Sequence, residues 1–293
     1  MRARGRLLSC LVTTVIALVG FVTAGVLPAA ATPSTVPYVG LGDSYAAGQG
    51  ALPYFDDVCK QSRNQSYPAL LDSESIRINL TANAACSGAT TSKVADQVAD
   101  QLSALDRARL VTLTVGAANL GLSAVLAACL DPTSLQCRTA IGNAQDLLGD
   151  CPKSESRALD GPLKELYAKV AENARGARIV VTGYPLLFDP AAANDFPFTD
   201  INEATTDLNC VIERAVAATQ ATYANIHYVD VTKEFEGHGI GCTQPCTLFI
   251  NPPLNVPPSA EAFHPTADGY AAYAEAIKTK LPAGWIDKED RLV

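Results

Sequence analysis

The sequence predicts an α/β protein, a three-layer α/β/α sandwich built on a central parallel sheet. Two observations predict this class. Five short runs are apolar and rich in β-branched residues almost without interruption, which is typical of strands covered on both faces. Helical patterns lie between these runs, and alternating strands and helices favour a parallel sheet. The five runs are Tyr38–Leu41, Ile76–Leu80, Leu110–Val115, Ala177–Thr182 and Ile226–Val231.

Residues 1–31 are typical of a signal peptide. Basic residues within positions 2–6 precede an apolar run from Leu7 to Val26, and Ala29–Ala31 fits a signal-peptidase site. The apolar run is long enough for an uncleaved membrane anchor, but the small residues behind it favour cleavage. We therefore expect a secreted protein without a stable membrane anchor, with a single domain over residues 36–285.

Three helical segments are predicted in the second half of the chain. Pro162–Ala174 places Leu163 and Leu166 on one face, as an amphipathic helix requires. Thr205–Tyr223 and Thr266–Lys280 show the same periodicity. These segments are expected to cover the sheet.

The charge of the chain excludes some partners. Without the three arginines of the leader, 19 basic residues stand against 30 acidic ones, a net charge of −11. An acidic protein of this kind is a poor binder of nucleic acid or anionic lipid. We expect no nucleic-acid partner, and a monomer.

Eight cysteines follow the leader, and an even number in an exported chain indicates four disulfide bonds. Cys59–Cys86 and Cys129–Cys137 are the expected pairs, because each closes a loop between predicted elements. The partners of Cys151, Cys210, Cys242 and Cys246 stay open. Cys242-x3-Cys246 also has zinc-like spacing, but no second ligand pair stands at a matching distance, so no metal is expected.

Ser44 is the candidate nucleophile. The stretch VGLGDSYAAGQG, Val39–Gly50, runs from a strand directly into this serine and surrounds it with small residues. In open α/β sheets, ligands bind at the carboxyl ends of the strands. A nucleophilic serine at this place requires a base.

The chain offers three histidines as that base. His227 lies inside a predicted strand, and His238 lies in a glycine turn near a presumed disulfide, so both favour structural roles. His264 follows the proline-rich loop Phe249–Ala262 and precedes a predicted helix whose first turn Thr266 can cap. Loops held by a rigid scaffold commonly carry catalytic groups, so His264 is the candidate base.

Three sequence blocks resemble those of the SGNH (GDSL-type) hydrolases, in particular the secreted, disulfide-bearing esterases and lipases of actinomycetes. They are GDSYAAG with Ser44, ACSGAT with Gly88, and FHPTADG with His264. The resemblance covers nearly the whole chain after the leader. It implies a flavodoxin-like α/β/α fold, Ser44 as nucleophile, His264 as general base, and the backbone N–H groups of Ser44 and Gly88 as oxyanion donors.

The residue that orients His264 departs from the family pattern. Relatives carry Asp three residues before the histidine, and this chain has Glu261 there. A carboxylate at that spacing can accept a hydrogen bond from the imidazole. A backbone carbonyl is the alternative acceptor, and both remain open.

A further family block, which follows the central strand, departs more strongly. Relatives read roughly Gly-Gly/Ala-Asn-Asp-x-Gly after the central strand, where the Asn side chain is a third oxyanion donor. The stretch VGAANLGLS places Ala118 at the Asn position and Asn119 at the next. Asn119 is the candidate for this donor through a local shift; otherwise the chain lacks it.

The resemblance implies a secreted serine esterase or lipase that hydrolyses carboxylic acyl esters, with a small-molecule or lipid ester as substrate and no cofactor. Two alternatives remain. A degenerate relative would bind an acyl or glycan ligand with weak or no hydrolysis, and an acyltransferase would pass the acyl group to an alcohol. The sequence does not define the acyl-chain length.

Overall fold

The computed structural model describes residues 35–149, 151, 158–254 and 257–286. The predicted leader over residues 1–31 lies outside them. The part of the chain described from residue 35 onward contains no helix that is long and apolar enough to cross a membrane.

The strands of the described residues form two sheets. They are β1 (Val36–Gly42), β2 (Tyr54–Asp56), β3 (Gln61–Ser62), β4 (Ile78–Asn83), β5 (Leu110–Thr114), β6 (Arg178–Thr182) and β7 (Ile226–Val229). The large sheet is parallel throughout, with the order β4-β1-β5-β6-β7. This is the 2-1-3-4-5 order of flavodoxin-like folds. All five predicted strands are confirmed, whereas the β2–β3 hairpin was not predicted.

Helices connect the strands and cover the sheet. They are α1 (Ser44–Ala47), α2 (Tyr67–Ser73), α3 (Thr91–Asp100), α4 (Leu102–Arg107), α5 (Leu122–Ala128), α6 (Leu135–Leu148), α7 (Asp160–Asn173), α8 (Phe198–Gln220) and α9 (Ala267–Lys278), with a 3₁₀ turn at Lys233–Phe235. α2 packs against α9, and α7 packs against both α3 and α8. The predicted three-layer α/β/α arrangement is confirmed.

The continuous hydrophobicity of the central strands follows from their burial. Every residue of β5 is buried, and so are the last four residues of β6. Strands covered on both faces have no solvent side that would require polar residues. Thr112, Thr114 and Thr182 lie inside this core with their hydroxyl groups bonded to neighbouring hydroxyl groups.

The helix α8 begins seven residues earlier than the predicted segment Thr205–Tyr223. Its first turns carry the buried residues Ile201 and Asn202. The Asn202 side chain accepts from the Phe188 backbone N–H and donates to the Phe188 carbonyl oxygen. These tertiary contacts stabilise the first turns of α8, whose sequence has a weaker helical pattern than the segment Thr205–Tyr223.

The eight cysteines form four disulfide bonds. The pairs are Cys59–Cys86, Cys129–Cys137, Cys151–Cys210 and Cys242–Cys246. The first bond holds the loop after β4 against the β2–β3 hairpin, and the second joins the end of α5 to α6. Cys242 and Cys246 pair with each other, so their spacing belongs to a small disulfide loop and not to a zinc site.

Candidate active site

Ser44 follows the carboxyl end of β1 and opens the short helix α1. Because β1 lies between β4 and β5, the loops after those two strands flank the serine. The turn requires glycine at position 42. Its φ is +131°, and a Cβ there would lie 2.3 Å from the Thr114 carbonyl oxygen on β5. The glycine of the first block is therefore a steric requirement for placing the serine at the sheet edge.

His264 lies beside Ser44, although 220 positions separate them in sequence. The distance from His264 Nε2 to Ser44 Oγ is 3.0 Å. Two backbone hydrogen bonds hold the loop that carries His264. The Asn251 N–H donates to the His264 carbonyl oxygen, and the Phe263 N–H donates to the Asn251 carbonyl oxygen. Behind the loop, the Thr266 side chain caps α9 by accepting from the Gly269 N–H. The geometry therefore brings the candidate nucleophile and the candidate base together.

The second ring nitrogen determines the tautomer of His264. Its Nδ1 lies 2.9 Å from the Ala262 carbonyl oxygen. A carbonyl oxygen only accepts hydrogen bonds, so Nδ1 carries the proton. The lone pair of Nε2 then faces the Ser44 hydroxyl, as a general base requires.

Glu261 does not orient the imidazole of His264. The expectation that its carboxylate accepts the hydrogen bond from Nδ1 is therefore wrong, and the alternative acceptor, a backbone carbonyl, is present. Its Oε1 accepts from the Tyr54 hydroxyl at 3.2 Å, while the Ala262 carbonyl occupies the place at Nδ1. Burial raises the pKa of the Glu261 carboxyl, but hydrogen bonds from its own backbone, Ser259 and Tyr54 outweigh burial and leave that pKa below its ordinary value. The Glu261 carboxylate is therefore a charged group near His264, but the hydrogen-bond partner of the imidazole Nδ1 is the Ala262 carbonyl oxygen.

The environment of His264 keeps its imidazole neutral. Burial lowers the pKa of His264 to about 4, although the bond to the Ala262 carbonyl and the charge of Glu261 act in the opposite direction. One edge of the ring remains accessible from the cavity. The unprotonated, base-competent form therefore predominates at neutral pH.

A cavity of about 90 Å³ opens in front of these two side chains, and its lining includes Gly88. Gly88 has a φ of +74°, and a Cβ built there would meet no atom within 4 Å. Because glycine has no side chain, no Cβ stands between its backbone and a ligand in the cavity. Among the described residues, the backbone N–H groups of Ser44 and Gly88 have no protein acceptor. Both groups are free to bind an oxyanion.

Asn119 lies outside this cavity, which corrects the expectation that it is the third oxyanion donor. Its side-chain carbonyl accepts from the Thr91 backbone N–H at 2.9 Å, and its amide donates to the Thr91 hydroxyl at 3.0 Å. The first N–H groups of a helix lack intrahelical partners, and Asn119 satisfies one of them at the start of α3. Ala118 lines the cavity instead and offers no side-chain donor.

Asp43 forms a buried link between two loops of the site. Its Oδ1 accepts from the Tyr45 N–H, which stabilises the turn before α1. Its Oδ2 also accepts from the Tyr184 hydroxyl at 2.5 Å, and that hydroxyl accepts from the Ala117 N–H. Burial raises the pKa of Asp43 to about 7. The link joins the nucleophile turn to the loop after β5.

Gln49 joins two loops of the site through hydrogen bonds of its side chain. Its amide donates to the Ala260 carbonyl oxygen, and its side-chain oxygen accepts from the Ser87 hydroxyl, both at 2.5 Å. It thereby ties the loop that carries Gly88 to the loop that carries His264. No sequence signal singled it out, because its partners lie far away along the chain.

The other two histidines lie away from the cavity, as the elimination indicated. His227 is on β7 with its Nδ1 3.4 Å from the Gln220 amide. His238 stacks on the Phe249 ring, with centroids 3.9 Å apart. Within residues 35–286, the described positions contain no group of three or more His, Cys, Asp or Glu side chains that could hold a metal ion.

Sequence comparison defines the class of protein to which this fold and site belong. The GDSL-like lipase/acylhydrolase family matches residues 41–272. The chain belongs to this family and is a carboxylic ester hydrolase.

Individual relatives are similar over most of their length. Lipase 2 of Streptomyces coelicolor is 33% identical, with 86% of this chain and 88% of the relative covered. Among solved structures, phospholipase A1 of Streptomyces albidoflavus NA297 is 28% identical with a TM-score of 0.71, covering 85% of this chain and all of that one. The extracellular lipase of Streptomyces rimosus is 26% identical with a TM-score of 0.68, covering 84% of this chain and all of that one.

Proposed function

We propose that this protein is a secreted serine esterase or lipase that hydrolyses carboxylic acyl esters through an acyl-enzyme on Ser44. The observation that carries the proposal is the pair of contacts on His264: Nε2 at 3.0 Å from the Ser44 hydroxyl oxygen and Nδ1 at 2.9 Å from the Ala262 carbonyl oxygen. A base oriented by a second hydrogen bond and facing a serine hydroxyl is the arrangement that activates a nucleophile.

In the first half of the reaction, Ser44 Oγ bonds to the ester carbonyl carbon while its proton passes to His264 Nε2. The carbonyl π electrons move to the oxygen, and the N–H groups of Ser44 and Gly88 stabilise that oxyanion. Collapse of the tetrahedral intermediate breaks the bond to the alcohol oxygen. The alcohol leaves with the proton from His264, and the acyl group stays on Ser44.

In the second half, water repeats the sequence. His264 takes a proton from the water as its oxygen bonds to the acyl carbon, and the same two N–H groups hold the oxyanion. Collapse breaks the bond to Ser44 Oγ, which regains a proton from His264. The net reaction consumes ester and water and releases acid and alcohol. An alcohol in place of water would give acyl transfer, and product analysis with added alcohol tests for it.

Secretion and lipid substrates form part of the proposal. The sequence of residues 1–31 and the four disulfide bonds support an extracellular site of action. The relatives named above are a lipase, a phospholipase A1 and an extracellular lipase. We therefore place acylglycerols and phospholipids among the substrates to be tested.

The test is turnover of p-nitrophenyl esters by the purified protein and by Ser44→Ala and His264→Asn. Ser103→Ala, at an exposed position of α4, and His227→Asn are the matched controls. The proposal expects both site variants to lose at least a thousandfold in kcat while both controls keep it. Turnover that Ser44→Ala retains in full would refute the proposal.

Ala118 is the observation that favours the second candidate, a ligand-binding relative with weak hydrolysis. Loss of one oxyanion donor typically lowers kcat by about 100- to 1000-fold. Two backbone donors would remain, so the proposed site is weakened and not abolished. Tight binding of an acyl ester or glycan without turnover above Ser44→Ala would favour this candidate.

A further inference from the structure

The β2–β3 hairpin carries large apolar side chains on its outer side. Leu52, Phe55 and Val58 lie within seven consecutive residues and are 57%, 54% and 88% exposed. Single exposed apolar side chains are common on proteins, but large ones clustered on one short element commonly mark an interaction surface. We call these three residues the hairpin patch.

The alternation of the strand explains why the hairpin patch faces outward. In β2, Tyr54 and Asp56 are half-buried while Phe55 between them is exposed, because successive side chains of a strand point to opposite sides. Asp56 Oδ1 accepts from the backbone N–H groups of Val58 and Cys59, at 2.8 and 3.0 Å. These two hydrogen bonds fix the turn that presents Val58.

The hairpin is attached to the loop that carries His264. The Tyr54 hydroxyl accepts from the Gly50 N–H at 2.9 Å and donates to Glu261 Oε1 at 3.2 Å. Glu261 precedes His264 by three positions. The inner face of β2 therefore contacts the site, while its outer face carries Phe55.

A second attachment joins the turn of the hairpin to the loop that carries Gly88. Cys59 forms a disulfide bond with Cys86, and its carbonyl oxygen accepts from the Ser87 N–H at 3.0 Å. Gly88 is exposed and lines the cavity of Ser44, so the cavity opens beside this loop. The hairpin patch therefore lies at the end of the molecule where the cavity opens.

The area of the hairpin patch is too small for a stable dimer. Three side chains of this size expose less than about 500 Å² together, because even a large aromatic side chain has only about 150–250 Å² of surface. Stable protein–protein interfaces bury about 800 Å² on each partner. A lipid surface needs no such area, since the strength of binding there scales with the apolar area that is inserted.

The charge of the hairpin determines the class of lipid. Residues 52–63 carry two acidic and two basic side chains, and Asp57 pairs with Lys60 at 2.6 Å. The chain without its leader has a net charge of −11, which disfavours an anionic surface. A zwitterionic lipid surface meets the hairpin patch without this repulsion.

We propose that the hairpin patch docks the protein on a zwitterionic lipid surface, with the mouth of the Ser44 cavity turned toward the ester groups of the lipids. The supply of substrate from that surface rests on the proposed function of Ser44, whereas docking itself needs no turnover. The three side chains insert into the apolar part of the lipid layer, and the attachments to both loops hold them in place relative to Ser44.

The first test is co-sedimentation of the purified protein with vesicles of ether-linked phosphatidylcholine, which contain no ester to hydrolyse. Binding should persist in about 1 M salt, because the contact is apolar. Phe55→Ser and Val58→Ser each remove about 50–100 Å² of apolar surface and should lower the partition coefficient at least fivefold, whereas Phe55→Trp should retain it. Ile76→Ser is the matched control and should bind like the unmodified protein. Ile76 is 75% exposed but precedes the amino end of β4, at the opposite end of the parallel sheet from Ser44.

Three results would overturn docking through the hairpin patch. They are no binding by the unmodified protein, equal binding by the patch variants and the unmodified protein, and binding that requires anionic lipid and disappears in salt. A dimer in sedimentation equilibrium that Val58→Ser dissociates would assign the patch to a second copy of the chain instead.

The second test compares a lipid surface with a soluble ester. Phe55→Ser and Val58→Ser should lose at least about fivefold in rate on vesicles of ester-linked phosphatidylcholine, while kcat/KM for p-nitrophenyl butyrate stays within about twofold. The retained rate on the soluble ester shows that the variant is folded, and Ile76→Ser should keep both rates. Equal losses on both substrates, or no loss on the vesicles, would overturn the supply of substrate through the patch. A protein that hydrolyses neither substrate would remove the proposed function, and binding to the ether-linked vesicles would still decide whether the patch docks.

Discussion

Replacement of Glu261 by glutamine separates two ways of orienting the imidazole of His264. In the family pattern, a carboxylate three residues before the histidine accepts its Nδ1 proton. In this structure the Ala262 carbonyl oxygen is the acceptor, at 2.9 Å, and Glu261 bonds to Tyr54 instead. Glu261→Gln removes the charge but keeps a side-chain oxygen for the Tyr54 hydroxyl.

The expected loss is small because only a through-space charge effect is removed. The charge of Glu261 raises the pKa of His264, but it ranks behind burial and the bond to Ala262 among the causes acting on that pKa. Its removal should lower that pKa further, and because the imidazole is already unprotonated at neutral pH, the expected loss in kcat is no more than about tenfold. Removing the charge of a carboxylate bonded directly to the histidine lowers kcat by about 10⁴. The two readings therefore differ by about a thousandfold.

The assay measures kcat and KM for p-nitrophenyl butyrate at about pH 7.5–8, where the His264 imidazole is unprotonated. Glu275→Gln, an exposed charge on α9, is the matched control for the loss of one negative charge. We expect Glu261→Gln to keep at least a tenth of the kcat of the unmodified protein. A loss of a thousandfold or more, with Glu275→Gln unaffected, would refute the assignment of Ala262 as the orienting group.

Three further predictions follow from the same site. Burial lowers the pKa of His264 to about 4, so the unprotonated base persists down to that pH. The acidic limb of the pH profile of kcat/KM should therefore lie near about pH 4. A limb near the ordinary histidine pKa of about 6.5 would contradict this. Ala118→Asn should raise kcat at least tenfold by adding a side-chain donor to the cavity; an unchanged kcat would show that two backbone donors already suffice. Tyr184→Phe leaves Asp43 Oδ2 without its donor and the Ala117 N–H without its acceptor. We therefore expect the free energy of unfolding, measured by urea denaturation, to fall by about 1–3 kcal/mol. An unchanged free energy of unfolding would argue against the buried link.

The sheet was the most predictable part of the fold, because strands buried on both faces need continuous apolar sequence. The ends of the strands were less predictable. Ile76 was assigned to a strand, yet it is 75% exposed and precedes β4, which continues to the polar Asn83. β4 is an edge strand of the sheet, so its hydrophobic pattern is weaker than that of β5.

The site was predictable where its chemistry depends on residue type. Ser44, Gly88 and His264 each stand in a recognisable block, and the structure brings all three to one cavity. The role of Ala262 was not predictable, because any residue has a carbonyl oxygen and only the shape of the loop aims it. The position of Asn119 depended on competition with the start of α3, which no local pattern reveals.

Covalent labelling of Ser44 tests the central claim most directly, because only an activated serine reacts rapidly with a fluorophosphonate. The protein is incubated with the probe, digested, and the labelled peptide is identified by mass spectrometry. We expect one phosphonylated residue, Ser44, at a rate that His264→Asn lowers at least a hundredfold. A protein that stays unlabelled while folded, or a label on another serine, would contradict it.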